Sequence, residues 1–164
     1  MYTASPPDLD DWPAVRYFYE RFEDSPYFDR LCLARDVLRG FFIASVGFPE
    51  NPLGVILLWA NAEGSRVPVG LGVLELVSER VDSKIAARAL IRGVYIEKEH
   101  RKKGTEVLYA EGRRWAAQRG ADMLIGYLKY DPAGFADKHM DSLSRHGFNP
   151  LFVVVGHHIE PGGN

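Results

Sequence analysis

The sequence predicts a single α/β domain, a mixed central sheet flanked by helices. Three observations carry that prediction. Short apolar runs bounded by turn residues fall at 55–60, 69–77, 89–97 and 123–128. Apolar residues at helical spacing lie before, between and after them. The third run passes through a basic turn straight into a helix. At 164 residues the chain can bury one core without staples, and 46% hydrophobic with 26% charged residues is ordinary globular composition.

Asp10 and Asp11 precede Pro13, and Val15, Phe18, Tyr19 and Phe22 then recur at i, i+3, i+4 and i+7, the pattern of a capped amphipathic helix. Asp24-Ser25-Pro26 stops it. Over 29–46, Ala34, Leu38, Phe41, Phe42 and Ser45 repeat the spacing, with Gly40 weakening the interior, so the segment is one helix or two short ones. A loop over 47–53 follows. The runs 55–60 and 69–77 read as an antiparallel hairpin about Glu63-Gly64-Ser65, residues 78–87 are polar and ambiguous, and 89–97 returns as a strand. The helix expected to begin at Gly104 has Leu108, Gly112, Trp115 and Ala116 on one face and Glu111, Arg114 and Gln118 on another, with Arg119-Gly120 as its stop. A buried strand over 123–128 precedes a helix opened by Asp131-Pro132 and running to about Ser144. One or two final strands over 148–159 precede the Pro161-Gly162-Gly163 tail. The chain thus reads as an N-terminal helical part (1–53), a hairpin with the strand leading to the basic turn (54–103) and a helix-strand-helix-strand part (104–160), with no internal repeat or linker.

A formal charge of −2 offers no general attraction to nucleic acid. Cys32 is the only cysteine, which excludes an internal disulfide and fits a buried thiol in a reducing compartment. Pro6, Pro7 and several Asp residues occupy the place of a signal sequence, so a cytoplasmic location is expected. The nearly uncharged stretch 40–62 is broken by Pro49, Glu50, Asn51 and Pro52, which favours core over membrane. His139 and His146 share a helical face without a carboxylate or cysteine to complete a metal set, and His157 and His158 alternate across a strand, so no metal is expected. Cys32 has no local activator, and neither a G-x-S-x-G elbow nor a P-loop occurs.

The stretch VYIEKEHRKKGTEVL, residues 94–108, is the chemically informative part. A helix start leaves amides unpaired and partly positive, and Arg101, Lys102 and Lys103 add full charge beside them, which suits a phosphate group. Taken alone, such a cluster is more often a solvated basic turn.

These residues resemble the GNAT superfamily of acetyl-CoA-dependent N-acetyltransferases. In that family a strand ends in an apolar-Tyr-apolar triplet, and an Arg/Gln-x-x-Gly-x-Gly/Ala turn then starts the helix that receives the CoA diphosphate. Val94-Tyr95-Ile96, Arg101 and Gly104 match, and Arg145-His146-Gly147-Phe148 is similar to the family's later helix end. The resemblance implies that Val94, Tyr95, Ile96, Arg101, Lys102, Lys103, Gly104 and Thr105 hold acetyl-CoA as cosubstrate. It further implies that an amine attacks the thioester where two strands splay, with a strand N–H near Ile96 polarising the carbonyl.

Two positions depart from the family. Glu106 stands where Gly or Ala is usual, and Leu143 where many members place a tyrosine acid. A carboxylate about 5 Å from a diphosphate charge costs on the order of 3 kcal/mol at an effective dielectric near 20, which three adjacent cations offset in part. Leu143 matters less, because a thiolate with a conjugate-acid pKa near 8.5 leaves without obligatory protonation. The amine must be neutral to attack. Glu75, the sole charge in the apolar run 69–77, is the first candidate base, although an alternating strand also places such residues outward. Glu97, His100 and Asp131 follow, each near a turn where a charge needs no functional explanation.

The resemblance implies two possible functions. One is an N-acetyltransferase acting on a primary amine. The other is a GNAT-like module without catalysis, a subunit of a larger assembly such as a virion part, for which Glu106 and Leu143 speak. An exposed final strand would permit a homo-oligomer.

Overall fold

The computed structural model describes residues 1–23, 40, 43, 46, 51–62, 64–81, 84–126, 141, 144–145 and 147–148. Two compact units are present, Met1–Tyr127 and Leu128–Asn164. The first carries a mixed five-stranded sheet of order β1-β2-β3-β4-β5: β1 (Tyr2–Ser5), β2 (Leu53–Ala62), β3 (Ser65–Val81), β4 (Lys84–Ile96) and β5 (Met123–Gly126). The first four strands are antiparallel in sequence order, and β5 pairs parallel to β4. The α/β class and the mixed sheet are as expected.

The chain opens with a strand, which the sequence reading did not foresee. Four residues are too few to show a period, and β1 is held by pairing across β2 from Tyr2↔Ala60 to Ser5↔Leu57 and by Asn61 Nδ2 donating to Thr3 Oγ1 at 3.0 Å. Helix α1 (Trp12–Glu23) then arrives through a 3-10 turn, Leu9–Asp11. Asp8, and neither Asp10 nor Asp11, is the cap of that turn: its Oδ1 accepts from Asp10 N, and its own N–H donates to Asp11 Oδ2, each at 3.0 Å. Val15 and Phe18 are fully buried, as their spacing required. The side chains of Tyr19 and Phe22 lie outside the described residues, as does most of the 29–46 segment, of which Gly40, Ile43 and Val46 are helical.

The hairpin is longer than predicted because cross-strand pairing carries it past the apolar runs. It spans Leu53↔Glu75 to Ala62↔Ser65, with Gly64 in the left-handed region at φ 73°. The ambiguous polar stretch 78–87 is mostly strand, with β3 and β4 paired out to Val81↔Lys84. There the ladder, not hydrophobicity, holds the backbone extended.

Two bulges shape the sheet. Leu58 pairs with Gly70 and Trp59 with Pro68, so Val69 is an extra residue, and Val69 and Leu71 accordingly face opposite sides of the sheet. Likewise Val73 pairs with Gly93 and Leu74 with Ile91, which leaves Arg92 as the extra residue of β4. One face of the sheet packs Leu57, Leu71 and Val73 against Val15 and Phe18 of α1. The other packs Ile56, Leu58 and Ile96 against Leu108, Trp115 and Ala116 of α2 (Arg101–Gln118). Burying each such side chain stabilises the fold by about 1.5–3 kcal/mol.

Helix α2 begins at Arg101, three residues earlier than expected, because the 3-10 turn Lys98–His100 delivers the chain already wound. Its predicted apolar face is buried. Glu111, assigned from the sequence to the polar face, is buried too, at 8% exposure, and pairs with Arg114 at 2.6 Å. Arg119 caps the helix, and Gly120 follows at φ 73°.

In the second unit Asp141, Ser144 and Arg145 are helical. Gly147 follows at φ 82°, with its N–H donating to Ser144 O at 3.0 Å, the helix stop that the Arg-His-Gly-Phe run predicted. Cys32, Asp131, His139, Leu143, His146, His157 and His158 lie outside the described residues. No helix among the described residues is long and apolar enough to cross a membrane.

Candidate functional site

Among the described residues, the end of β4 presents an open backbone edge. Glu97 N donates to Val69 O at 3.0 Å, which makes the adjacent pair Ile96↔Gly70 a non-hydrogen-bonded pair of the ladder. The N–H and C=O of Ile96 therefore point away from β3, toward the side on which β5 pairs. Two residues back, those of Val94 do the same, while Tyr95 exchanges its hydrogen bonds with Leu71. The described β5 pairing reaches Ile91↔Gly126, and the bulge at Arg92 follows immediately on β4. This places Val94, Tyr95 and Ile96, all singled out from the sequence, on an edge whose polar groups are aimed sideways. Tyr95 itself packs toward α1, with its ring centroid 5.8 Å from that of Phe18.

Arg101 closes one of those groups. Its Nε donates to Ile96 O at 3.0 Å, folding the guanidinium back over the strand end and leaving the Ile96 N–H as the remaining polar group of that residue on this edge. At the helix start the amide of His100 is used by Glu97 O at 2.9 Å and that of Arg101 by Lys98 O. His100 gives no side-chain cap. A helix start leaves four amides without intrahelical partners, so those of Lys102 and Lys103 are the ones that remain. Both side chains are exposed, as is Glu106 one turn on, and Glu106 forms no ion pair among the described residues. Thr105 is partly buried, and its Oγ1 bonds back to Arg101 O.

Gly104 does not face outward with them. It is buried, and a β-carbon there would stand 2.6 Å from Leu58 Cδ2 and 3.5 Å from Ile96 Cγ2. The glycine lets α2 settle onto the sheet, which fixes where its first amides lie.

Glu75 is tied to Arg92. The Nε and Nη2 groups of the guanidinium both engage Glu75 Oε2, and the two side chains remain 37% (Arg92) and 29% (Glu75) exposed. Arg92 escaped the sequence reading, although a signal was present: it is the only charge in 89–96, as Glu75 is in 69–77.

Glu97 and His100, named after Glu75 as possible bases, belong to a second group. Tyr17 of α1 donates to Glu97 Oε1 at 3.1 Å, His100 Nε2 lies 4.0 Å from Glu97 Oε2, and His100 Nδ1 shares a hydrogen bond with Tyr2 OH at 2.9 Å. Partial loss of water, then the hydrogen bond and negative charge of Glu97, push the Tyr17 phenol above its ordinary range, with Arg21 over its ring opposing. Neither tyrosine could be found from sequence, because the contacts join residues 80 and 98 positions apart. Beside them an open cleft of about 510 Å³ is lined by Asp10, Asp11, Tyr17, Trp59 and Glu97. Among the described residues no group of three or more His, Cys, Asp or Glu is placed to hold a metal ion.

No protein-family model matches the sequence, and no curated protein sequence does. Solved structures do match. The chain is similar to the aminoglycoside N-acetyltransferase AAC(6')-Iy in complex with a bisubstrate analogue, CoA-S-monomethyl-acetylneamine, at a TM-score of 0.73 and 12% identity over 98% of this chain and 99% of that one. It is similar to glucosamine-6-phosphate N-acetyltransferase from Arabidopsis thaliana at 0.65 and 9% identity, over 98% and 99%. It is also similar to the aminoglycoside 6'-N-acetyltransferase AAC(6')-Ih from Acinetobacter baumannii at 0.64 and 16% identity, over 99% and 100%. At these identities what is shared is the fold.

Proposed function

We infer that this chain, whose fold is that of the GNAT N-acetyltransferases, transfers an acetyl group from acetyl-CoA to a primary amine. The observation that carries the reading is the sideways-facing edge of Val94 and Ile96, continued by a helix start with two cations beside its free amides. The chemistry of that set fits the cosubstrate: amides of Lys102 and Lys103 with their ammonium groups suit a diphosphate, and alternating strand N–H and C=O groups suit the amides of a pantetheine arm. Acetyl-CoA supplies an acyl carbon on a thiolate leaving group.

The chain's own residues supply the rest. With the diphosphate at the helix start and the arm along the strand edge, the acyl end lies toward the bulge, so the N–H of Val94 joins that of Ile96 as a donor for developing oxyanion charge. Arg101 holds the strand end in place through Ile96 O. Glu75 is the carboxylate at the bulge, and it stands as the group that receives the amine's proton.

The test is calorimetry with CoA and with pantetheine, followed by thiol release from acetyl-CoA over a panel of amines. CoA affinity should fall with added salt while that of pantetheine stays level. Equal salt responses would remove the diphosphate site, and tight CoA binding without turnover of any amine would remove the transferase reading.

A further inference from the structure

We propose that Arg92 is an internal stand-in for the acceptor's ammonium group: at the bulge of β4 its guanidinium occupies Glu75, and a cationic acceptor amine exchanges with it there. The proposal rests on the acetyl-transfer reading above. Arg92 is the residue of β4 without a β3 counterpart, and two of its nitrogens converge on one oxygen of Glu75. The pair stands at the level of the sheet where the described β4–β5 pairing ends, at Ile91↔Gly126, the end of the open edge toward which the acyl group extends. At 37% and 29% exposure it is neither sealed nor free. A sealed pair would be costly to separate, whereas a half-exposed one exchanges readily with another cation. Within 69–77 and 89–96 each is the only charge.

A primary ammonium carries the same charge as the guanidinium and three donors, so it can satisfy Oε2 as Arg92 does. After the exchange Arg92 turns its head to water on a long stem. The ammonium gives one proton to the Glu75 carboxylate, leaving a neutral amine and a neutral acid. The amine lone pair then forms the C–N bond at the acyl carbon while the C–S bond breaks with its electron pair on sulfur. The thiolate takes the second N–H proton, and Glu75 returns its proton to solvent. Arg92 acts through Glu75 and is a positioning residue.

The experiment uses the full chain, with calorimetry of putrescine, spermidine, glucosamine and neamine, and thiol release from acetyl-CoA with the same amines. Wild type is compared with Arg92→Met, Arg92→Lys and Glu75→Gln, and unchanged CoA affinity reports that each variant is folded. Arg92→Met should bind the preferred amine about threefold tighter and lower its KM by the same factor with kcat retained. Arg92→Lys should stay near wild type. Glu75→Gln should lose about tenfold in amine affinity and about a hundredfold in kcat/KM. An amine affinity that is weaker or unchanged in Arg92→Met makes Arg92 a brace and overturns the exchange. Amine binding indifferent to Glu75→Gln, or absent from wild type, overturns it as well. The expected affinities without any thiol release would sink the transferase reading and leave the exchange; turnover with flat affinities would do the reverse.

Discussion

Leu58 Cδ2 on β2 lies 2.6 Å from where a β-carbon on Gly104 would stand, so the first turn of α2 touches the sheet through a glycine. The contact links packing to the proposed function, because it sets the distance at which the amides of Lys102 and Lys103 stand from the strand edge. Gly104→Val should therefore cost about 1–3 kcal/mol by overpacking. A urea midpoint that falls with an unchanged slope would show it, and an unchanged midpoint would contradict this placement.

Trp115 anchors the other end of the same interface. It is 3% exposed, and a β-carbon on Gly54 would stand 2.6 Å from its Nε1, so the ring lies directly on the β2 backbone. Trp115→Ala should lose about 3–5 kcal/mol of stability. Chemical unfolding followed by far-ultraviolet circular dichroism measures it.

Glu106 is exposed, one turn beyond the amides proposed to bind diphosphate. Like charge at roughly that distance in screened solvent weakens binding by about tenfold. Glu106→Gln should bind acetyl-CoA more tightly by that factor in dilute buffer, with the advantage shrinking as salt is added. Calorimetry across a salt series distinguishes this from a helix-dipole effect, which would appear in the melting temperature of the ligand-free protein instead.

Alkaline pH should destabilise the fold through its tyrosines. Burial pushes the Tyr109 phenol up, and loss of water with Glu97 pushes Tyr17 up, so both hold their protons longer folded than unfolded. Stability from this source is complete below the ordinary phenol value of about 10 and is lost as pH rises through the folded values. Tyr109→Phe should flatten the decline above about pH 10. Glu97→Gln should lower the titration midpoint of Tyr17, read by tyrosinate absorbance, and a superimposable titration would refute the Tyr17–Glu97 contact.

Much of the candidate site was legible because it is continuous in sequence. Val94, Ile96, Arg101, Lys102 and Lys103 lie within ten residues, and a strand running into a basic helix start is a local pattern. The pairings that tune it were not legible, although the lone charges Glu75 and Arg92 were. Tyr17 meets Glu97 across 80 positions and Arg92 meets Glu75 across 17, and neither pair leaves a mark on periodicity. Glu111 misled the helix reading for a different reason: three residues after Leu108 and four before Trp115, it lies on the buried face by position, whatever its own polarity.

By itself the sequence determined the α/β class, the apolar face of α2 and the residues from which the proposed phosphate cradle is assembled, because alternation, helical spacing and turn chemistry are local consequences of side-chain type. The tertiary structure alone decided the strand at the N-terminus, the two bulges and the direction in which Ile96 points its N–H. Those depend on register, and register is settled by which strands meet across the sheet and by the single extra residues, Val69 and Arg92, that shift it.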